Sequence, residues 1–254
     1  MSLNRLLKSS FQSLKITVKQ EKPTKLPYYG AIARGWLGDA LYPHKELWKL
    51  LFKNPYVDVR PYFLYTTHFN RTIVITINLL GFSSRLTKDL VDALSSKVEG
   101  HFGGLSSRIE NIYYFEDNFE YLNLNKEFKI TFSTPVSITT NERMHIAPSL
   151  NDIVKSLVRS ANKFCKYYMK KCYPLHIKET TREVTAEILG FNLKPYHWNH
   201  RNKKGNVIPL KGVCGDVEYR VNKVTKELGE ILTLTRVFQI GKWTSYGFGK
   251  LEVI

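Results

Sequence analysis

A glycine-rich segment near the C-terminus has the composition of a phosphate-binding loop. Glycine tolerates positive φ and lets a ligand approach the backbone, so consecutive N–H groups can converge on a phosphate. The segment is not a nucleoside-triphosphate P-loop, because Arg236 occupies that motif's first glycine position and Trp243 follows the lysine. We therefore predict phosphate contacts from the residues Gly241, Lys242, Trp243, Thr244, Ser245, Gly247 and Gly249.

Positive charge is concentrated ahead of this segment. The net charge of the chain is +16, and residues 155–211 contribute +10 of it through thirteen basic and three acidic residues. A helix predicted from Ser149 to Met169 carries basic side chains at steps of three and four, with no acidic residues to neutralise them. Such a row suits the phosphates of nucleic acid, and an ordinary solvated helix face is the alternative. The predicted contacts on this helix are Lys155, Arg159, Lys163 and Lys166.

A second basic element is predicted at the tip of a hairpin, from Tyr196 to Gly205, where asparagine, glycine and consecutive charges favour a turn. Aromatic rings beside cations suit stacking on bases and contacts with phosphates. A solvated loop with a packed Trp198 is the alternative. The predicted nucleic-acid contacts around this hairpin are Arg201, Lys203, Lys204 and Lys211.

The remaining composition excludes several classes of protein. Three cysteines without a CxxC pair indicate neither a disulfide framework nor a zinc site, and no cofactor is expected. Polar residues interrupt the N-terminal twenty residues before any signal sequence could form, and no apolar run approaches the ~18 residues of a membrane helix. We expect a soluble cytoplasmic protein with no membrane partner.

The elements that position these residues follow one order twice. Hydrophobic periodicity predicts strand, helix, strand, strand, helix, strand before a polar linker at 117–127, and the same order after it. Lys15-Ile16-Thr17 recurs as Lys129-Ile130-Thr131, which supports an internal duplication. The prediction is an α+β fold of two tandem ferredoxin-like (RRM-like, βαββαβ) domains, residues 1–122 and 123–254.

The C-terminal motifs resemble the RAMP superfamily of CRISPR-associated proteins, and most closely its repeat-processing endoribonuclease. Gly212-Val213-Cys214-Gly215 opens a strand, an apolar helix follows, and the glycine-rich segment leads into the closing strand. Ser133-Thr134-Pro135 and the stretch from Arg34 to Leu41 also fit the family, so the resemblance extends along nearly the whole chain. Relatives often carry a histidine where this chain has Asp39.

The resemblance implies cleavage of precursor CRISPR RNA without a metal ion. A ribose 2′-OH attacks the adjacent phosphate and leaves a 2′,3′-cyclic phosphate and a 5′-OH. This chemistry needs a base for the 2′-OH, an acid for the leaving 5′-oxygen and cations for the phosphorane. The implied partners are CRISPR repeat RNA and other CRISPR-associated effector subunits, and the protein would act as a monomer or a homodimer.

Candidate catalytic residues also come from the resemblance. Some archaeal members use a tyrosine at the start of the first helix, a histidine just past it and a lysine soon after, and Tyr29, His44 and Lys49 or Lys45 stand in comparable positions. His44 is predicted as general base or acid, Tyr29 as its partner and the lysine as charge stabiliser. The alternatives are a surface histidine at a helix start and a tyrosine that packs the helix onto the sheet. The histidines of the predicted hairpin, His197 and His200, are the reserve pair.

Other functions stay open at this stage. A non-catalytic RAMP subunit that coats guide RNA in an effector complex would share the glycine-rich segment and the basic surface, but needs no histidine near a scissile phosphate. A general RNA-binding protein with tandem ferredoxin-like units should show ribonucleoprotein aromatic motifs on its central strands, which we do not find. A metal-dependent nuclease would need clustered carboxylates.

Overall fold

The fold was analysed in a computed structural model, which describes residues 3–23, 28–53, 59–97, 99–140, 142–169, 174–175, 184–201 and 205–254. Its first half contains four α-helices and five strands among these residues, with a 3-10 turn at Gly81–Leu86. In chain order they are α1 (Leu3–Leu7), β1 (Ser10–Gln20), α2 (Gly30–Leu41), α3 (Lys45–Phe52), β2 (Tyr62–Phe69), β3 (Thr72–Leu80), α4 (Thr87–Ser95), β4 (Glu99–Phe102) and β5 (Leu105–Asn118).

The five strands of the first half form one antiparallel sheet in the order β2-β3-β1-β5-β4. The apolar residues Leu14, Ile16 and Val18 alternate along β1 and are fully buried on one face of the sheet. Helices α2 and α4 supply the other half of this core through residues such as Leu37 and Leu90. The periodicity seen in the sequence therefore determines which face of the sheet the helices cover.

The second half follows the same plan. Its elements are β6 (Glu127–Val136), β7 (Thr139–Thr140), β8 (Arg143–Met144), α5 (Leu150–Tyr168), β9 (Ala186–Arg201), β10 (Val207–Val221), α6 (Lys226–Thr233), 3-10 turns at Leu234–Arg236 and Thr244–Tyr246, and β11 (Leu251–Val253). Four of these strands form a sheet in the order β11-β6-β10-β9, and β7 and β8 form a small separate ladder.

These two strand orders confirm the predicted tandem ferredoxin-like fold. In each half the first and third strands of the βαββαβ unit are neighbours at the centre, and the second and fourth strands flank them. The first half adds the short strand β4, and the second half adds the β7–β8 ladder. The division at residues 122 and 123 stays a prediction, because α1 and Phe11 pack into the core of the second half.

Gly103 and Gly104 form a tight turn between β4 and β5, where both glycines have positive φ. One local prediction differs from the structure. The predicted hairpin tip from Tyr196 is mostly paired strand, because β9 continues to Arg201 and pairs with β10 from Val207. Helix α6 ends at Thr233, and a 3-10 turn follows it from Leu234.

Long-range hydrogen bonds fasten the two halves together. The buried Tyr28 hydroxyl, just ahead of α2, donates to the carbonyl of Gly247 at 2.6 Å. The side-chain amide of Gln239 donates to the carbonyl of Leu64 at 2.8 Å. The first contact holds the start of α2 against the glycine-rich segment, and the second holds β2 against the chain just before that segment. No helix in the described ranges has the length and apolar character needed to cross a membrane.

We expect Tyr28→Phe to lower the free energy of unfolding by about 1–3 kcal/mol, because it leaves a buried carbonyl without its donor. Burial raises the pKa of Tyr28, so its hydroxyl stays protonated and keeps donating across the ordinary pH range. Urea unfolding followed by circular dichroism measures the change. Tyr42→Phe is the matched control, because the Tyr42 side chain is 61% exposed, and equal stability of the two variants would contradict the prediction.

Candidate functional site

The glycine-rich segment is a tight turn held close to other backbone. Gly241, Gly247 and Gly249 all have positive φ, and so does Trp243. A Cβ atom added to Gly249 would lie 2.0 Å from the carbonyl oxygen of Ile240, and one added to Gly241 would lie 2.4 Å from that of Ser137. Only glycine fits these two positions, since both the backbone angle and the space forbid a side chain.

Most amides of this segment are used inside the fold. The Gly241 amide donates to the hydroxyl of Ser156 at 3.0 Å, and the Lys242 amide to the carbonyl of Ser137 at 2.8 Å. The amide of Gly249 likewise donates to a backbone carbonyl. In the described part of the chain, the amides of Thr244 and Ser245 have no hydrogen-bond partner. The glycines therefore shape the turn, and Thr244 and Ser245 present its free donors.

Helix α5 lies beside this turn. Ser149 and Asp152 form a capping box at its start, and its apolar stripe, with Leu157 at 0% exposure, packs into the core of the second half. The opposite side therefore faces outward with its basic residues. Three of them line a cleft of about 490 Å³ together with the glycine-rich turn. The cations are Lys155, Arg159 and Lys163, and the turn contributes Gly241, Lys242, Thr244 and Ser245.

The cleft is lined by one acidic residue of the described chain, Asp152, whose carboxylate contacts Ser149 and His145 at the start of α5. Within the described ranges, Lys155, Arg159, Lys163 and Lys242 take part in no ion pair. The first half of the chain adds Arg60, whose guanidinium donates to the carbonyl of Phe52 at 2.8 Å. Unpaired cations that converge on one groove produce a positive potential that favours a polyanion.

Other predicted RNA contacts lie elsewhere. Lys166 is on α5 but outside the cleft, with its ammonium 5.5 Å from the centre of the Tyr167 ring. Lys211 is exposed on β10, opposite His197. Arg201 ends β9 and lines a second cavity. Lys203 and Lys204 lie outside the described residues.

The second cavity lies on the other side of the glycine-rich turn. Its volume is about 660 Å³, and Tyr246, the third residue of the turn, forms part of its wall. The basic residues Arg34 and Arg201 and two histidines, His101 and His200, line the same cavity. The 3-10 turn at Thr244–Tyr246 therefore has the basic cleft on one side and a cavity with acid–base groups on the other.

His200 is the most constrained group in this cavity. Its ring lies 5.3 Å from the ring of Tyr246 and 5.4 Å from that of Trp198. Arg34 lies over the ring of Tyr246, with its guanidinium carbon 4.8 Å from the centre of that ring. Burial, and then the positive charge of Arg34, lower the pKa of His200 below the usual 6.5. The imidazole is therefore neutral at pH 7 and can accept a proton.

The structure does not bring the predicted catalytic residues together. Tyr29 and His44 flank opposite ends of α2, which has 12 residues and is therefore about 18 Å long. Tyr29 is 1% exposed, and its ring contacts that of His68 at 4.9 Å. Its pKa is raised by burial.

His44 lies in a different environment. It is exposed at the start of α3, where its backbone carbonyl accepts from Trp48. The neighbouring cavity also contains Lys45 and the acidic residues Glu46, Asp89 and Asp92. Lys49 forms an ion pair with Glu46 at 2.8 Å. Acidic groups next to His44 oppose the approach of a phosphodiester.

The sequence prediction left out Arg34, Tyr246 and His101, and kept His200 only in reserve. Arg34 was recognised as part of a family pattern and not as a site residue. Tyr246 lies inside the glycine-rich segment, but the glycines and the lysine of that segment are the residues that indicate phosphate binding. Had the sequence been interpreted as a strand that continues to Arg201, His200 and Arg201 would have been placed at the end of the sheet near the glycine-rich turn. Over the described residues, no three His, Cys, Asp or Glu side chains are grouped so as to hold a metal ion.

The chain resembles proteins of known sequence and structure. Residues 130–251 match the sequence model of the family described as CRISPR-associated endoribonuclease Cas6. The search of curated proteins gave no match.

Solved structures extend the likeness to the whole chain. Thermus thermophilus Cas6 (TTHB231) matches with a TM-score of 0.67 and 19% identity, over 97% of this chain and 99% of that one. A structure described as "Cas6 (TTHA0078) product complex" matches with a TM-score of 0.67 and 15% identity, over 96% and 99%. One described as "An RAMP protein binding different RNA substrates" has a TM-score of 0.58 and 13% identity, over 96% and 99%.

At these identities the structural matches establish the fold, and the family model adds the sequence of the second half. The resemblance to the repeat-processing endoribonucleases of the RAMP superfamily is confirmed: residues 130–251 carry the sequence pattern of the Cas6 family, and the chain as a whole has the Cas6 fold.

Proposed function

We propose that this protein is an endoribonuclease that cleaves precursor CRISPR RNA within its repeats, without a metal ion. The observation that carries the proposal is the turn at Thr244–Tyr246, which has unpaired cations on one side and a histidine-containing cavity on the other. An RNA strand bound along the cleft can cross this turn and present one phosphodiester to the cavity. The Cas6 family match supports RNA processing as the activity.

The cleft supplies affinity and the turn supplies position. Lys155, Arg159 and Lys163 attract phosphates irrespective of base sequence. The free amides of Thr244 and Ser245 add neutral donors with a fixed direction. A phosphate held at the turn is therefore oriented with respect to Tyr246 and the cavity beyond it.

The proposed reaction uses the RNA as its own nucleophile. The ribose 2′-oxygen forms a bond to the adjacent phosphorus as its proton passes to a base, and the bond from phosphorus to the 5′-oxygen breaks as that oxygen receives a proton. The products are a 2′,3′-cyclic phosphate and a 5′-OH. Cations next to the phosphorane stabilise its added negative charge.

Two sets of residues are candidates for this chemistry. The set predicted from the resemblance is His44 with Tyr29 and either Lys45 or Lys49. The second set lies in the cavity, where His200 would serve as base and Arg34 as charge stabiliser. The second set is supported by its position at the end of the basic cleft and by the neutral state of His200. His44, by contrast, faces Asp89 and Asp92.

The mechanism predicts cleavage of a labelled CRISPR-repeat RNA in the presence of EDTA. A copy with a 2′-deoxy nucleotide before the cut should stay intact, because it lacks the nucleophile. Gel analysis with end-group mapping would identify the cyclic phosphate. Cleavage that stops in EDTA would contradict the mechanism, and tight binding with no cut would favour a non-catalytic RAMP subunit.

A pair of alanine variants separates the two catalytic sets. We expect His200→Ala to lower the single-turnover cleavage rate by about 10²–10⁴-fold, the usual effect of losing an acid–base group, with RNA affinity largely kept. As a base, His200 must be neutral, so the rate should fall on acidification through a pKa below 6.5. His44→Ala is the matched control. A large loss in His44→Ala alone would assign the reaction to the first set.

Two lysines of α5 test the cleft. Lys163→Gln should weaken RNA binding and reduce the slope of log K against log salt by about one, since one phosphate contact is lost. Lys166→Gln, on the same helix but outside the cleft, should have a smaller effect on both. Filter binding between 50 and 300 mM salt (about a sixfold range) measures both quantities. Equal effects of the two variants would show that the cleft is not the binding path.

A further inference from the structure

Two aromatic rings and a lysine form a cluster on the first sheet, away from both cavities. The rings of Tyr113 and Phe115 on β5 lie 6.2 Å apart with an angle of 20° between their planes, so they are nearly parallel. The ammonium of Lys15 on β1 lies 5.9 Å from the centre of one ring and 5.2 Å from that of the other. We call these three residues the aromatic platform.

Strand register places the platform on one face. Lys15 pairs with Tyr113, and the helix-covered face carries the neighbouring pair Leu14 and Tyr114. Because side chains alternate along a strand, Tyr113 and Phe115 project from the face opposite to the helices. Tyr114 is therefore an aromatic residue of the same strand on the other face.

The platform is open to solvent. Tyr113 is 43% exposed and Phe115 is 36% exposed. Strand β4 pairs with β5 only from Leu105 to Arg108, so the part of β5 that carries the two rings has no outer neighbour in the described chain. Nothing in the described fold uses the outward surfaces of the two rings, and large exposed apolar groups that adjoin one another are typical of binding surfaces.

Lys15 is left without a carboxylate partner among the described residues. Acidic residues on the same part of β5 have partners of their own: Glu110 contacts Lys19 and Arg108 at 3.8 and 3.6 Å, and Asp117 contacts Arg236 at 3.4 Å. The same row of the sheet continues through Thr76 on β3 and Tyr65 on β2. At about 4.8 Å per strand, this row is roughly 14 Å across.

At its far end the row reaches a second cation. The ammonium of Lys250, from the other half of the chain, lies 5.4 Å from the centre of the Tyr65 ring. It donates to the carbonyls of Thr235 and Arg236. The sheet face is therefore covered at the β2 side and open at the platform.

We propose that the aromatic platform is a second binding site for single-stranded RNA, in which bases stack on Tyr113 and Phe115 while Lys15 contacts the adjoining phosphate. Nearly parallel rings, with a cation over them that forms no ion pair in the described chain, provide partners for both parts of a nucleotide, its base and its phosphate. The proposal rests on the proposed function only in taking RNA as the ligand, and it adds a site remote from the cleft.

The test compares both faces of β5. The double variant Tyr113→Ala/Phe115→Ala should bind a fluorescein-labelled CRISPR-repeat RNA about tenfold to hundredfold more weakly, because stacked bases lose their support. Tyr114→Ala should bind within about twofold of the parent protein, since Tyr114 lies on the opposite face. Tyr113→Leu/Phe115→Leu keeps apolar bulk on the strand and should also bind weakly if the ring faces matter.

Salt dependence separates stacking from charge. The aromatic variants should keep the parent slope of log K against log salt, whereas Lys15→Gln should reduce it by about one. Parental affinity in both aromatic variants would overturn the platform while leaving the proposed function intact. Failure of the parent protein to bind RNA at all would remove the proposed function itself. Loss of self-association in the variants, with RNA affinity unchanged, would assign the surface to a second copy of the chain and overturn the proposal.

Discussion

The architecture of the site depends on the close approach of the glycine-rich turn to the backbone around it. Gly249 and Gly241 lie where any side chain would meet a carbonyl oxygen, and the Tyr28 hydroxyl holds Gly247 from the other half of the chain. The turn therefore forms a partition between the basic cleft and the cavity that contains the histidines. Thr244 and Ser245 face the basic cleft, and Tyr246 faces the cavity with the histidines.

The two sides of this partition carry different kinds of charge. On the cleft side, the lysines and arginines are exposed or half-buried and form no ion pair within the described chain, so their charge attracts a polyanion. On the cavity side, Arg34 lies against the ring of Tyr246, and burial together with the charge of Arg34 lowers the pKa of His200. One position therefore favours binding of phosphates, and the other favours removal of a proton.

Periodicity predicted the order of elements well, because core residues such as Ile16 and Leu157 repeat with the period of a strand or a helix. The basic face of α5 followed from the same pattern. The candidate catalytic residues were harder to predict, because contacts between residues far apart in the chain determine which side chains share a cavity. Tyr29 is buried against His68, and His200 contacts Tyr246 at the end of β9, which is longer than expected. The aromatic platform follows strand register, which the sequence leaves undefined.

The hydrogen bond from Tyr28 to Gly247 joins residues 219 positions apart. Closing so long a loop is entropically unfavourable until both sheets exist, which places this contact late in folding. An isolated first half could therefore form its sheet and its helices without a partition between cleft and cavity. The juxtaposition of basic cleft and acid–base cavity would then arise only in the completed chain, whereas the aromatic platform, which lies within the first sheet, would already be present in a partly folded molecule.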